Sequence, residues 1–345
     1  MYSHAFESLN GELKIEMMQP VDVVIAWVDG NDTKLKQKRM QYQDKPQASD
    51  AVSDTRFASN HEIYYNVASI LKYVPFCRYI YIVTDSQQPQ WIDAFVTDGI
   101  CEAGKIRIID HREIFAGYEQ YLPTFNTRSI ETMLCNIKGL SDYFFYLNDD
   151  FFFNAPAKIE DILFDQKMVI YGHWQSSFSL QVKLWYRQLL NQYFDKPIQP
   201  KHLIAQMLGA NIIGFKKFFE IHHYPHIVDR KILSNYLSAH PAFLEKQIQY
   251  KFRNVEQVNP ISLMNHLKIQ KGEALLKPDL KIAYLKNESS LTSFLENLND
   301  ESIKYGCIQS LDQLSDKAAQ QIYTALNQKM VNYLPNILLA QTAEG

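Results

Sequence analysis

Apolar positions along this chain follow two rhythms. Up to about residue 155, short unbroken apolar runs alternate with stretches whose apolar positions recur every three or four residues. The runs at 21–28 (VDVVIAWV), 79–84 (YIYIVT), 106–109 (IRII) and 143–147 (YFFYL) predict buried strands. Between them, Ile63, Val67, Ile70 and Leu71 have helical spacing, with Asn60 at the start and Pro75 past the end. A second helix is expected from about 127 to 137, and the polar stretch 33–55 reads as an exposed helix or loop. This alternation predicts βαβ units and a mainly parallel sheet of an α/β fold over residues 20–155. Beyond 155, amphipathic aromatic-rich segments at 175–220, 230–300 and 312–340 read as helical. The expected organisation is an N-terminal extension (1–19), an α/β core (20–155) and a mostly helical part (156–345) that completes the site.

The predicted strands end in polar clusters containing Asp29, Asp85, Asp110 and Asp149. In a parallel sheet such ends share one edge, where open α/β sheets hold their ligands. The sharpest cluster is Asn148-Asp149-Asp150, in a segment (143–153) with seven aromatic side chains. Burying an unpaired carboxylate costs several kcal/mol, so this pair needs a cation, a basic side chain or a substrate cleft. The alternative is a strand end whose acids cap a following turn. If the extended backbone continues, Asn148 and Asp150 face one way and Asp149 the other. Asp150 is then the candidate ligand for Mg²⁺ (or Mn²⁺), and Asp149 a substrate-orienting acid.

Asp29-Gly30-Asn31-Asp32 places two acids around a glycine just past a strand, suited to close approach by a sugar or equally to a tight turn. The run 222–230 (HHYPHIVDR) packs three histidines, an acid and an arginine into nine residues. An imidazole is a natural general base near neutral pH. Arg230 and Arg253 are suited to clamping phosphate oxygens. A surface loop leading into a helix at Val228 would explain the same residues. Thr127 reads as an N-cap, with Glu131 on the second turn of its helix.

Composition narrows the field. The chain has 345 residues, 46% hydrophobic and 13% aromatic, and is expected to fold into a large core. A net charge of −3 argues against a general nucleic-acid binder. No run of about 18 apolar residues predicts a membrane span, and the first twenty residues lack the pattern of a secretory signal. Four scattered cysteines suit reduced thiols in a cytoplasmic setting.

Taken together, the segments 22–32 (DVVIAWVDGND), 56–91 (RFASNHEIYYNVASILKYVPFCRYIYIVTDSQQPQW), 106–115 (IRIIDHREIF) and 122–153 (LPTFNTRSIETMLCNIKGLSDYFFYLNDDFFF) resemble the Stealth family. So does 222–230, with Arg253 downstream. These are hexose-1-phosphotransferases of bacterial capsule synthesis and of lysosomal-enzyme tagging, related to the catalytic subunit of GlcNAc-1-phosphotransferase. The resemblance implies a GT-A/Rossmann-like sheet. It also implies transfer of hexose-1-phosphate from a UDP-sugar such as UDP-GlcNAc to a glycan hydroxyl, with release of UMP. By position it implies Asp29, Gly30 and Asp32 in the nucleotide-sugar site, and Asn148, Asp149 and Asp150 in a metal-dependent centre. His223 would be the base and Arg253 a phosphate contact. Asn60, Glu62, Asn126, Glu131, His226 and Arg230 would complete the substrate site. Peripheral association with inner-membrane capsule machinery is the corresponding expectation. The chain departs from the family's pattern at Tyr64 and Ala68 (arginines there), at Met133 and Cys135 (histidines there), and at Gln309-Ser310, where Asn-Asp is usual. Ordinary glycosyl transfer and a non-catalytic scaffold role are the rival readings.

Overall fold

The computed structural model describes residues 20–43, 61–194, 198–309 and 311–341. Four strands form the parallel heart of the main sheet: β1 (Val21–Ala26), β2 (Cys77–Thr84), β3 (Ile106–Asp110) and β4 (Tyr143–Asn148). Their spatial order is β3-β2-β1-β4. The chain steps outward from β1 to β3, then returns to the other side of β1 to lay down β4. Val23, Val24, Ile25, Ile80, Ile82, Val83, Phe144, Phe145 and Leu147 are all sealed from solvent. Both faces of the sheet are covered, which is why these strands read as unbroken apolar runs.

The helices of the first half differ slightly from expectation. Helix α1 (Thr33–Met40) starts at Asp32, whose carboxylate accepts the amide N–H of Leu35 at 2.7 Å. Helix α2 (Glu62–Tyr73) is buried over most of its circumference, through Ile63, Tyr64, Tyr65, Asn66, Val67, Ala68, Ser69 and Ile70. Helix α3 (Thr127–Met133) is capped by Asn126, one residue earlier than the expected Thr127. Residues 1–19 and Asn60 lie outside the described residues.

The second half carries helices α4 (Phe178–Phe194), α5 (His202–Asn211), α6 (Arg230–Ala239), α7 (Pro241–Ile248), α8 (Pro260–Gln270), α9 (Leu291–Leu298) and α10 (Asp316–Met330). It also carries strands that the sequence did not announce. After β5 (Phe151–Phe153) come β6 (Leu163–Phe164), β7 (Lys167–Tyr171), β8 (His173–Ser176), β9 (Lys217–Glu220), β10 (His226–Asp229), β11 (Ala274–Lys277), β12 (Ala283–Leu285) and β13 (Tyr305–Ile308). Each is too short for alternation to stand out. Strand β10 adds antiparallel to β4 and completes the main sheet, while β13 pairs with β5. The expected seam at 155 therefore runs through two sheets.

One buried charge belongs to this framework. Asp22 is fully enclosed on β1, where it takes both guanidinium contacts of Arg78, at 2.6 and 2.9 Å, and the amide of Ser141 at 2.8 Å. It staples the edge of the sheet opposite the candidate site.

Candidate active site at the strand-order reversal

Strands β1 and β4 are neighbours with Ala26 beside Asn148, so the segments following them start side by side. This is the point where strand order reverses, and a crevice opens there because the following loops diverge. Asp29 follows β1; Asp149 and Asp150 follow β4. Strand β10 runs against β4, with His226 opposite Tyr146, which carries 222–226 to the same edge. The antiparallel direction also takes Arg230 away. It lies at the far edge of the sheet, its guanidinium 3.4 Å from Asp142, and does not join the other candidates.

Strand β4 ends at Asn148, and Asp149 and Asp150 form the turn into β5. The expected alternation through 148–150 therefore stops short. Asn66 on α2 donates its side-chain amide to the carbonyl of Asn148 at 2.9 Å, pinning the turn. The Asp150 carbonyl accepts the amide of Ile308 at 2.8 Å, and the Cys307 thiol lies 3.5 Å from Asp150 Oδ2. Burial pushes the pKa of Asp149 well up, and the charges of Asp150 and Glu62 push the same way. Asp150 is raised by burial too, with the Cys307 contact and Arg253 pulling back. Both acids keep part of their surface open to solvent, as residues on the floor of a recess do.

Basic groups approach from the second half. Burial raises the pKa of Glu131, while the nearby charge of Arg253 lowers it; the Tyr146 hydroxyl lies 3.1 Å from its Oε1. Arg253 donates to the Thr127 hydroxyl at 3.0 Å. Asn126 was expected to touch substrate, but its amide is consumed internally. It donates to the carbonyls of Tyr250 and Phe252 and to Gln257 Oε1, at 3.2, 3.0 and 2.8 Å. It holds the loop that presents Arg253. Asn148 Oδ1 is likewise engaged, 2.8 Å from the Tyr146 hydroxyl.

His223 sits at the exposed rim, its ring 6.2 Å from Phe151 and 6.3 Å from Tyr284. The protein around it lowers its pKa, and His222 and Arg253 lower it further. It is therefore neutral at pH 7 and able to accept a proton. His226 is driven down to about 3 by burial, which leaves it a neutral packing group. Sequence patterns missed His202, the first residue of α5, whose ring lies 5.5 Å from that of His223. Burial holds its pKa well below the ordinary value, with His223 next in effect. A lone histidine after Pro200-Lys201 carries no motif; only the fold reveals it.

Beside this centre a cleft of about 570 Å³ opens at the ends of β1 and β2. Asp29, Asp32, His61, Tyr64 and Gln87 are among its lining residues. Gln87 holds the 29–32 turn in place, accepting the amide of Asp29 at 2.9 Å and donating to its carbonyl at 3.1 Å. Asp29 Oδ1 accepts the amide of Asn31 at 2.8 Å, and Asp32 caps α1, so both acids line the cleft while also serving the local turn. The rings of His61, Tyr64 and Trp91 cluster at centroid distances of 5.0 to 5.9 Å. His61 adopts φ +68, uncommon for a residue other than glycine and enriched at ligand sites.

The acid centre fits a hard divalent cation. Its donors are oxygens, its carboxylates repel one another, and Asn66 Oδ1 and Glu131 Oε2 are buried acceptors with no hydrogen-bond partner. Among the described residues a separate group, His173, His222 and Asp279, also brings potential metal-binding atoms within 4.8 Å of one another.

The family description "Stealth protein CR2, conserved region 2" matches residues 56–170. Capsular polysaccharide phosphotransferase LcbA of Neisseria meningitidis is 42% identical over 142 residues, covering 41% of this chain and 37% of that protein. Exopolysaccharide phosphotransferase SCO6023 of Streptomyces coelicolor is 29% identical over 273 residues, covering 77% of this chain and 42% of the relative. The chain thus spans well under half the length of these relatives. Among solved structures, the galactosyltransferase LgtC with donor and acceptor sugar analogues aligns at TM-score 0.40 and 11% identity, over 84% of this chain and 87% of that one. Over residues 56–170, a third of the chain that includes the acid pair and the α2 wall of the cleft, the protein is similar to conserved region 2 of the Stealth proteins.

Proposed function

We propose that this chain transfers a hexose-1-phosphate from a nucleotide sugar, a UDP-sugar in the first instance, to a hydroxyl of a surface or capsular glycan, forming a phosphodiester. What supports the reading is a shared edge at the strand-order reversal: Asp149 and Asp150 follow β4, a neutral His223 precedes β10 at the same end, and the charge of Arg253 acts on both Asp150 and His223, beside a nucleotide-sized cleft. The His61, Tyr64 and Trp91 rings offer a stacking surface for the base.

In this reading the acceptor oxygen attacks the phosphorus next to the sugar. The bond from that phosphorus to the bridging oxygen breaks, and UMP leaves with the bridging oxygen. His223 takes the acceptor's proton. Arg253 faces the oxygens that gain charge, and Glu131 and Thr127 hold its guanidinium in place. Asp149, Asp150 and the carbonyl-type oxygens around them are the groups that would hold Mg²⁺, which supplies charge neutralisation for a diphosphate when bound.

The test is a screen of nucleotide sugars against glycan acceptors, with and without Mg²⁺, that identifies the nucleotide released. UMP with a sugar-phosphate diester as co-product is the expected result. Release of UDP would convert the reading to ordinary glycosyl transfer. No donor turnover across the screen by folded protein would reject catalysis.

A further inference from the structure

We infer that His173, His222 and Asp279, with Glu220 behind them, form a second cation site, specific for a borderline transition ion of the Zn²⁺ type and separate from the acid centre. Three distant segments supply the donors. His173 opens β8 and stands directly opposite Glu220 on β9. His222 follows two residues after Glu220. Asp279 lies just past β11, whose last residue accepts the amide of Gly172 at 3.0 Å.

The backbone itself builds this meeting point. A Cβ on Gly172 would fall 2.0 Å from the carbonyl oxygen of Glu220, so only glycine lets β8 and β9 close at this end. The donors then converge. His173 Nδ1 lies 2.7 Å from Asp279 Oδ2, and His222 Nε2 lies 3.2 Å from Asp279 Oδ1. Glu220 approaches both imidazoles, at 3.5 Å to His173 Nε2 and 3.9 Å to His222 Nδ1. The two imidazole rings are 5.6 Å apart. Gln175 lies 2.9 Å from His173 Nε2 and orients that ring.

The donor set decides the ion. Two imidazoles with one or two carboxylates match the ligand preferences of Zn²⁺ and its neighbours, whereas Mg²⁺ favours oxygen donors throughout. Small rotamer adjustments bring ligand atoms already within 4.8 Å to coordination distance. Loading would tie the segment after β9 to the 278–282 loop, and His222 is the chain neighbour of His223. The ion is thus placed to fix the turn that presents the candidate base.

The experiment is calorimetric titration of the chelator-treated full chain with Zn²⁺, with and without excess Mg²⁺, followed by thermal unfolding with and without Zn²⁺. One tight Zn²⁺ site that survives millimolar Mg²⁺ is expected. Asp279→Asn and His173→Gln should each weaken it by about tenfold or more and abolish the Zn²⁺-dependent rise in unfolding temperature. Asp150→Asn should leave Zn²⁺ affinity within about twofold, which separates this site from the acid centre. Replacing Zn²⁺ with Co²⁺ should give visible absorption that disappears in the same two variants. Zn²⁺ binding no tighter than Mg²⁺, or binding that follows Asp150 instead of Asp279 and His173, would overturn the inference. No readout uses the sugar donor, so failure here leaves the phosphotransfer reading untouched.

Discussion

The Tyr146 hydroxyl stands 3.1 Å from Glu131 Oε1, and both side chains are almost completely enclosed. Strand β4 and helix α3 are joined there by a polar contact inside an apolar wall. Tyr146→Phe removes the hydroxyl that contacts Glu131 Oε1 and Asn148 Oδ1 while keeping the volume. The expected cost is about 1–3 kcal/mol of stability, read by chemical denaturation. Turnover should fall as well, because Arg253 loses a fixed neighbour.

Asp150→Asn should separate stability from activity. It relieves repulsion on Asp149, whose proton affinity is raised by burial and by the charge of Asp150, while burial raises that of Asp150 itself. The unfolding temperature in metal-free buffer should rise or hold, while donor turnover drops by roughly 10²-fold or more. A variant that kept wild-type turnover would remove Asp150 from the chemistry.

His223 predicts an acid limb in the pH profile of kcat/KM. Its pKa lies below the ordinary value, so activity should be flat near pH 7 and should fall as acid protonates the imidazole. His223→Gln should lose most of its rate and also lose that limb. A limb that persists unchanged would assign it to another group.

Acid should also erode the fold, through two sealed histidines, His266 and His111. His266 is sealed, accepts the amide of Phe219 on Nε2 at 2.8 Å, and has Nδ1 2.6 Å from the Ser262 carbonyl. Burial lowers its pKa to about 4, and His111, equally sealed, is lowered to about 4. Both are bound neutral in the folded state. Their contribution is complete above the unfolded value of about 6.5 and is lost as pH falls from there toward about 4. Denaturation midpoints should decline over that window by up to about 3 kcal/mol per histidine. His266→Gln should be less stable at pH 7 and show a shallower decline.

Asn126→Ala should loosen the 250–257 loop without touching ligand directly. Three donated bonds disappear and buried carbonyls lose a partner, a loss of roughly 2–4 kcal/mol. Because this loop presents Arg253, KM for the donor should rise even at temperatures where the variant remains folded.

Residues 79–84 and 143–147 could be recognised as central strands because both faces of that sheet are buried, which leaves an unbroken apolar run in the chain. The same logic singled out Asp149 and Asp150, since carboxylates between seven aromatics demand a partner. Local pattern also located the 29–32 turn and the histidine-rich segment. Strand order, by contrast, depends on which surfaces fit, and no local pattern encodes it. Only the tertiary structure put Asn148 beside Ala26 and ran β10 backwards along β4. That one reversal carried His223 to the strand end from which the acids emerge and took Arg230, seven residues later, to the opposite edge. His202 and the His173, His222 and Asp279 group were invisible for the same reason: their neighbours come from segments far apart in the chain, brought together by short strands whose pairing is settled by packing.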